Sequence, residues 1–289
     1  MQHSQFIYYS FEGWSILSSL EKEINEKIVA CGTPLSKWNI QINRGILTGY
    51  NSAFIIDSNT KNQLIADDAK SAELIRPILR GRDIQRYGYS FANLWIINVH
   101  NGIKSENIPP INIDEYPAIK NYLSAYYSKL ARRADKGITP YNLRNCAYLN
   151  DLTMQKIIWG EISDIPKFAI DIHGEFTPEA TTFMMTGEHL KYLLCFLNST
   201  LSEYFFAKIG TTTGMGTLRW KKYLIETLPI PIPDETTMKE LEAMVDMMII
   251  NPNDRDIYAD LINAVIYNLY EFSVDEINFI ENAVKYGAH

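Results

Sequence analysis

The 289-residue chain has little cysteine, no long apolar run and no recognisable catalytic signature, and each absence narrows what it can be. Its three cysteines, Cys31, Cys146 and Cys195, are odd in number and far apart, which excludes a disulfide framework and a CxxC metal knuckle. They are expected to be small buried apolar residues in a reducing compartment. No segment approaches the roughly 18 uninterrupted apolar residues needed to span a bilayer, and the opening MQHSQFIYYSFEG lacks the basic-then-apolar order of a signal peptide. A cytoplasmic protein with no membrane partner is therefore expected. The five histidines have no metal-ligand spacing with the cysteines, the Walker spacing is missing, and there is no GxSxG.

What is present is a strong asymmetry of charge. The net charge of -7 argues, taken alone, against a nucleic-acid partner. Its distribution points the other way: residues 1–36 carry -2, 37–160 carry +6, 161–222 carry -1 and 223–289 carry -10. Only the middle of the chain offers a face for DNA.

The pattern along the chain predicts a mixed α/β (α+β) fold in two parts, a mixed-sheet domain over 1–228 and an acidic helical subdomain over 229–289. A strand is expected over Gln5–Ser10 and a helix over Trp14–Ala30, with Glu23 and Lys27 paired. Further strands are expected at Ala53–Ile56, Leu94–Val99, Lys156–Ile162, Lys167–Ile172 and Thr181–Met184. Pro117 should open a helix whose Tyr126 and Tyr127 lie in the core, and a long helix should run from Leu190 through Phe205. After the extended LPIPIPD come helices opened by capping boxes at Thr237/Glu240 and Ser273/Glu276, with a third over Arg255–Tyr270.

Three stretches have the chemistry to meet nucleic acid. The first is Asn43–Tyr87, where a glycine-flanked turn with Arg44, Thr48 and Asn51 precedes Arg76, Arg80, Arg82 and Arg86. If the last three alternate along an extended edge, they grip phosphates, with Asp83 at most an exposed ion-pair partner. The second is LARRADKGITPYNLRN, where Arg132, Arg133, Lys136 and Arg144 surround Tyr141 and Asn142. Arginine can bridge the two acceptors of guanine and asparagine can pair with adenine, so this loop is the expected reader of bases. The third, GTTTGMGTLRWKK, offers Thr212, Arg219, Lys221 and Lys222 to phosphates. Each stretch also has a plain structural reading as a solvated loop or locally satisfied turn.

The first stretch also carries a resemblance. Its turn, its phenylalanine-containing strand and RPILRGRDIQRY resemble the TaqI-like C-terminal specificity domain, the target recognition module of type IIG restriction-modification enzymes and related adenine DNA methyltransferases. The likeness continues through YPAIKNYLSAYYSKLARRADKG, FTPEATTFMMTGEHLKYLLCFLNST, LPIPIPD and INAVIYNLYEFSVDEINFIE. It implies double-stranded DNA as partner and a methyltransferase or nuclease module in cis or trans. It also implies that S-adenosylmethionine and Mg2+ belong to those modules, with no cofactor in this chain. The asparagine-proline-proline-aromatic tetrapeptide of such methyltransferases is absent; Asn251-Pro252-Asn253 lacks the second proline and the ring. Pro233-Asp234-Glu235 lacks the acidic-x-lysine partner of a nuclease site. Two other readings stay open at this point: a protein-interaction module docking a partner through its acidic helices, and a hydrolase without a recognisable motif.

Overall fold

The computed structural model describes residues 19–212 and 217–286, the side chains of 211 and 212 apart. The strand expected over Gln5–Ser10, and the first residues of the helix expected from Trp14, lie outside them. Two four-stranded sheets organise the rest. In the first, Phe168–Asp171, Lys156–Gly160, Thr182–Gly187 and Ile40–Arg44 lie side by side in that order, all antiparallel. In the second the order is Thr177–Pro178, Ile75–Leu79, Leu94–Ile97 and Ile55–Asp57, the first pair parallel and the others antiparallel.

The first sheet divides the molecule. Successive strand residues point to opposite faces, so Ile157, Trp159, Phe168, Ile170 and Met185 enter one core while Ile158, Ala169 and Met184 enter another. This is why Lys156–Gly160 reads as a continuous apolar run with no polar alternation: all five residues are buried. Its one charge, Lys156, donates to the Leu152 and Met154 carbonyls and to Asp171 at 2.7 Å, and Asp171 also accepts the Phe176 N–H. The pair is thus fully satisfied inside the protein.

The core on the second-sheet side holds Phe54, Ile78, Ile96, Ile119, Leu123 and Leu130. The core on the other side is helical. Ser19–Cys31 contributes Ile24 and Ile28, and Leu190–Leu197 and Thr200–Ile209 contribute Leu193, Phe196 and Phe206. Glu235–Ile250, Arg255–Leu269 and Val274–Tyr286 add Leu241, Val245, Ile262, Ile266 and Ile280 to the same core. Pro229–Ile230 pairs with Thr33–Pro34, holding the segment after the first described helix against the one before Glu235–Ile250.

Several local expectations are corrected. Asn51–Phe54 forms a helical turn before the Ile55–Asp57 strand, where the strand was expected to begin at Ala53, and Pro77 lies inside a strand, opposite Trp95. The helix from Leu190 is broken at Asn198. There the side-chain amide takes both polar groups of the Phe168 backbone (3.0 and 2.9 Å), and Ser199 caps a new helix by accepting the Ser202 N–H at 3.0 Å. Lys27 reaches Glu276 at 2.7 Å instead of Glu23, joining the first described helix to the last. Asp234, not Thr237, caps the Glu235–Ile250 helix, whereas the Ser273/Glu276 box forms with both bonds (2.6 and 3.3 Å). Cys195 is buried, but Cys31 is exposed and Cys146 half-buried. Tyr127 is exposed, packing on Tyr141 at 5.6 Å, instead of entering the core. No helix among the described residues is long and apolar enough to cross a membrane.

Candidate nucleic-acid interface

Where the two sheets meet, Gly81 and Gly160 bring two backbones into contact: a Cβ on Gly160 would lie 3.1 Å from the Gly81 Cα. Beside this contact opens a cleft of about 610 Å3 lined by Arg44, Arg82, Glu161, Asp164, Lys167 and Thr181, among others. Arg44 leaves the edge strand of the first sheet, passes over the Phe183 ring (5.6 Å) and donates to the Ala180 carbonyl (2.7 Å) and to Glu161 (2.8 Å). Arg219 approaches the other oxygen of the same carboxylate at 3.6 Å. Lys167 holds Asp164 at 2.8 Å, and that bond keeps the Asp164 carboxyl below its ordinary range. Both acidic groups of the cleft are therefore ion-paired. Arg82 is exposed and makes no ion pair among the described residues.

The glycine-flanked turn supports the cleft from behind. Gly45 packs against the 178–179 backbone so closely that a Cβ would lie 2.1 Å from the Glu179 carbonyl oxygen, and Gly49 takes φ +69°. Thr48 is fully buried and donates to the Asn51 side-chain Oδ1 (2.5 Å); the Asn51 Nδ2 donates to Glu179 (3.2 Å). Glu179 in turn accepts the Thr181 hydroxyl (2.6 Å), and the Thr181 hydroxyl accepts the Gly81 N–H (3.4 Å). Thr48 and Asn51 thus hold the wall of the cleft together, where the sequence suggested that they face a ligand.

The three arginines of the RGRDIQR segment diverge. Alternation along one edge requires an extended chain, but Gly81–Asp83 is a 3-10 turn. Arg80 folds back on Asp83 with two guanidinium bonds (2.9 and 2.7 Å), and Asp83 also accepts the Arg80 N–H (2.9 Å). Asp83 is only 5% exposed, so this is a buried pair and not the surface contact expected. Burial pushes its carboxyl up, but the bonds from Arg80 outweigh burial and hold it below the ordinary range. Arg86 turns away from Arg82, its Nε and Nη2 both donating to the Asn198 carbonyl. The three do not line one edge.

The loop expected to read bases is internally stapled. Arg133 is buried over the Phe54 ring (4.5 Å) and donates to the carbonyls of Thr48, Asp135, Pro140 and Asn142. Burial draws its guanidinium down to about 10, opposed by Asp135, so it stays charged at neutral pH. Asn142 is buried too, its amide donating to the carbonyls of His100 (3.2 Å) and Ile111 (3.0 Å). These two residues shape the loop and present nothing to a partner. Lys136 caps the Ala131 carbonyl (2.6 Å), and the Tyr141 hydroxyl meets Ser124 (3.0 Å). Arg132 and Arg144 are exposed, Arg144 with Asp135 at 3.3 Å. The Tyr148 phenol is raised first by burial and then by Cys146, while Arg144 and Arg44 both oppose the rise.

In the last basic stretch, Lys221 lies 5.9 Å from the Tyr223 ring, and Lys222 donates to the Ile42 carbonyl (2.9 Å) beside Glu226 (3.6 Å). The Thr212 backbone pairs with Leu218, and its side chain lies outside the described ones. Sequence reasoning missed Lys167 and Glu161. Both sit in a segment whose charges nearly cancel, so only the fold brings them to Arg44 and Arg82. Among the described residues no group of three His, Cys, Asp or Glu side chains is placed to hold a metal ion.

The fold and this cleft define a mixed α/β domain with a helical C-terminal region and a cation-lined groove at the junction of its two sheets. Residues 76–230, more than half of the chain, match the model of the TaqI-like C-terminal specificity domain, and the chain belongs to that family. Two solved structures share the fold. One is the type IIL restriction-modification enzyme MmeI in complex with DNA, with a TM-score of 0.64 and 14% identity over 88% of this chain and 36% of that one. The other is the type IIG restriction endonuclease BpuSI, with a TM-score of 0.52 and 14% identity over 90% of this chain and 34% of that one. The chain thus spans about a third of the length of each.

Proposed function

We propose that this chain recognises a target sequence in duplex DNA, as the specificity part of a type IIG-like restriction-modification enzyme. The methyltransferase and nuclease modules, with S-adenosylmethionine and Mg2+, lie outside it and act in cis or in trans. The observation that carries this reading is the meeting of Arg44, Arg82, Lys167 and Arg219 around one groove in a chain of the specificity-domain family. Phosphate oxygens are the natural partners of such a set, because guanidinium forks and ammonium groups give charge-assisted bonds to them. Arg82 and Lys221 are available for this role. Arg44 and Arg219 are held ready by Glu161, so less ordering of long side chains is needed when a phosphate arrives. Arg132 and Arg144, both exposed, are the proposed readers of base edges.

Binding driven by released counterions weakens steeply with salt, with a slope of roughly 0.9 per phosphate neutralised. Fluorescence anisotropy with random and target-containing duplexes should show that slope. Arg82→Ala and Lys167→Ala should each reduce it by about one unit and weaken all sequences alike. Wild-type protein that binds no duplex at low salt, or variants with unaltered slopes, would refute the proposal. Arg144→Ala should instead relax preference at one base position by about 1–3 kcal/mol.

A further inference from the structure

A second, smaller cavity of about 300 Å3 lies beside the first. It is lined by Gln85, Arg86, Tyr87, Asn253, Arg255 and Asp256, with Pro252 and Ala259. The Ile84–Gln85/Gly88–Tyr89 hairpin runs between the two, since Ile84 lines the cleft and Gln85 lines this pocket. Its chemistry is unusual for an acidic C-terminal region: two guanidiniums face one carboxylate. Neither Arg86 nor Arg255 is ion-paired among the described residues. Arg86 commits Nε and Nη2 to the Asn198 carbonyl, which fixes its plane. Arg255 lies against Gly88, where a Cβ would come within 2.5 Å of its guanidinium, and its Nε is buried with no hydrogen-bond partner. A guanidinium held at a pocket wall without a carboxylate partner is suited to an oxyanion, with which it forms charge-assisted bonds.

We infer that this pocket binds a phosphate group of the DNA backbone between Arg86 and Arg255. The inference rests on the proposed DNA-binding reading and deepens it. Both arginines supply guanidinium donors matched to phosphate oxygens. Arg82 on the cleft side of the hairpin and Arg86 on the other would follow one strand of the duplex. The acidic helical region, otherwise repelled by DNA, thereby adds an anchor of its own at the start of the Arg255–Leu269 helix.

The test uses Arg255→Gln, with Arg255→Lys to restore the charge and Asn253→Asp to place a carboxylate at the pocket from an exposed position. Each is titrated with a duplex at several salt concentrations and, separately, with inorganic pyrophosphate by calorimetry. The inference expects Arg255→Gln and Asn253→Asp to weaken every duplex roughly three- to tenfold and to lower the salt slope by about one unit, with Arg255→Lys recovering most of the loss. Wild-type binding of DNA with unaltered variants would overturn this inference and leave the DNA reading standing. Pyrophosphate binding that depends on Arg255 in a protein that binds no duplex would overturn the backbone as the source of the phosphate, and the DNA reading with it. Binding of neither would overturn both.

Discussion

At the scale of single residues, side-chain type alone did not tell a ligand-facing cation from an architectural one. Arg132 and Arg133 are adjacent and chemically identical, yet one faces solvent and the other is buried among four backbone carbonyls. Removing Arg133 takes the side-chain donor from the Thr48, Asp135 and Pro140 carbonyls, while the Asn142 carbonyl keeps the Gly137 N–H; a carbonyl left buried and unsatisfied costs about 1–3 kcal/mol. Arg133→Ala should therefore cost about 2–4 kcal/mol in urea unfolding, whereas Arg132→Ala should stay within about 0.5 kcal/mol. An Arg133→Ala protein of unaltered stability with a changed base preference would return Arg133 to the reading surface. Asn198 is a parallel case. Its side-chain amide serves both polar groups of Phe168, so Asn198→Ala, which keeps the main-chain carbonyl that holds Arg86, should destabilise by about 2–4 kcal/mol.

At the scale of elements, the parts legible in the sequence were those with periodic apolar patterns and strong caps. The strand at Leu94, the helix opened by Pro117, the helix from Arg255 and the Ser273/Glu276 box all form as the pattern suggests. In the larger departures tertiary contacts overrode local pattern, whereas the shift of the cap from Thr237 to Asp234 is local. Pro77 is the last residue of its strand to pair with Leu94–Ile97, and the Leu190–Phe205 periodicity continues through a break at which Asn198 binds the Phe168 backbone and Ser199 caps the next helix. Which side chains of the basic segments are free depends on carboxylates such as Asp83 and Glu161. Asp83 and Glu276 also set a pH dependence. Burial raises both carboxyls, but Arg80 and Lys27, with backbone N–H groups, hold each below its ordinary value of 3.8 or 4.5. Carboxyls lowered in the folded state contribute fully above their unfolded values and lose that contribution as pH falls through the folded ones. Unfolding midpoints should therefore drop as pH falls below about 4.5. Asp83→Asn and Glu276→Gln should lower stability at pH 7 and flatten that acid limb. An acid limb of unchanged steepness in the double variant would show that other groups set it.

At the scale of the whole molecule, one sheet with both faces buried holds two cores together, and the cleft opens where that sheet meets the second. The charge asymmetry along the chain has a spatial counterpart in this arrangement. The basic centre builds the junction of the sheets, and the acidic residues after 223 decorate helices packed on the far core. The most direct test of the central claim is hydrogen–deuterium exchange of the full chain with and without a duplex. The account predicts slowed exchange in the segments around Arg44, Arg82 and Glu161–Lys167 and in the exposed part of the 131–145 loop. The outer faces of the Glu235–Ile250 and Val274–Tyr286 helices should be unaffected. Protection confined to those helices, with the cleft unchanged, would contradict it.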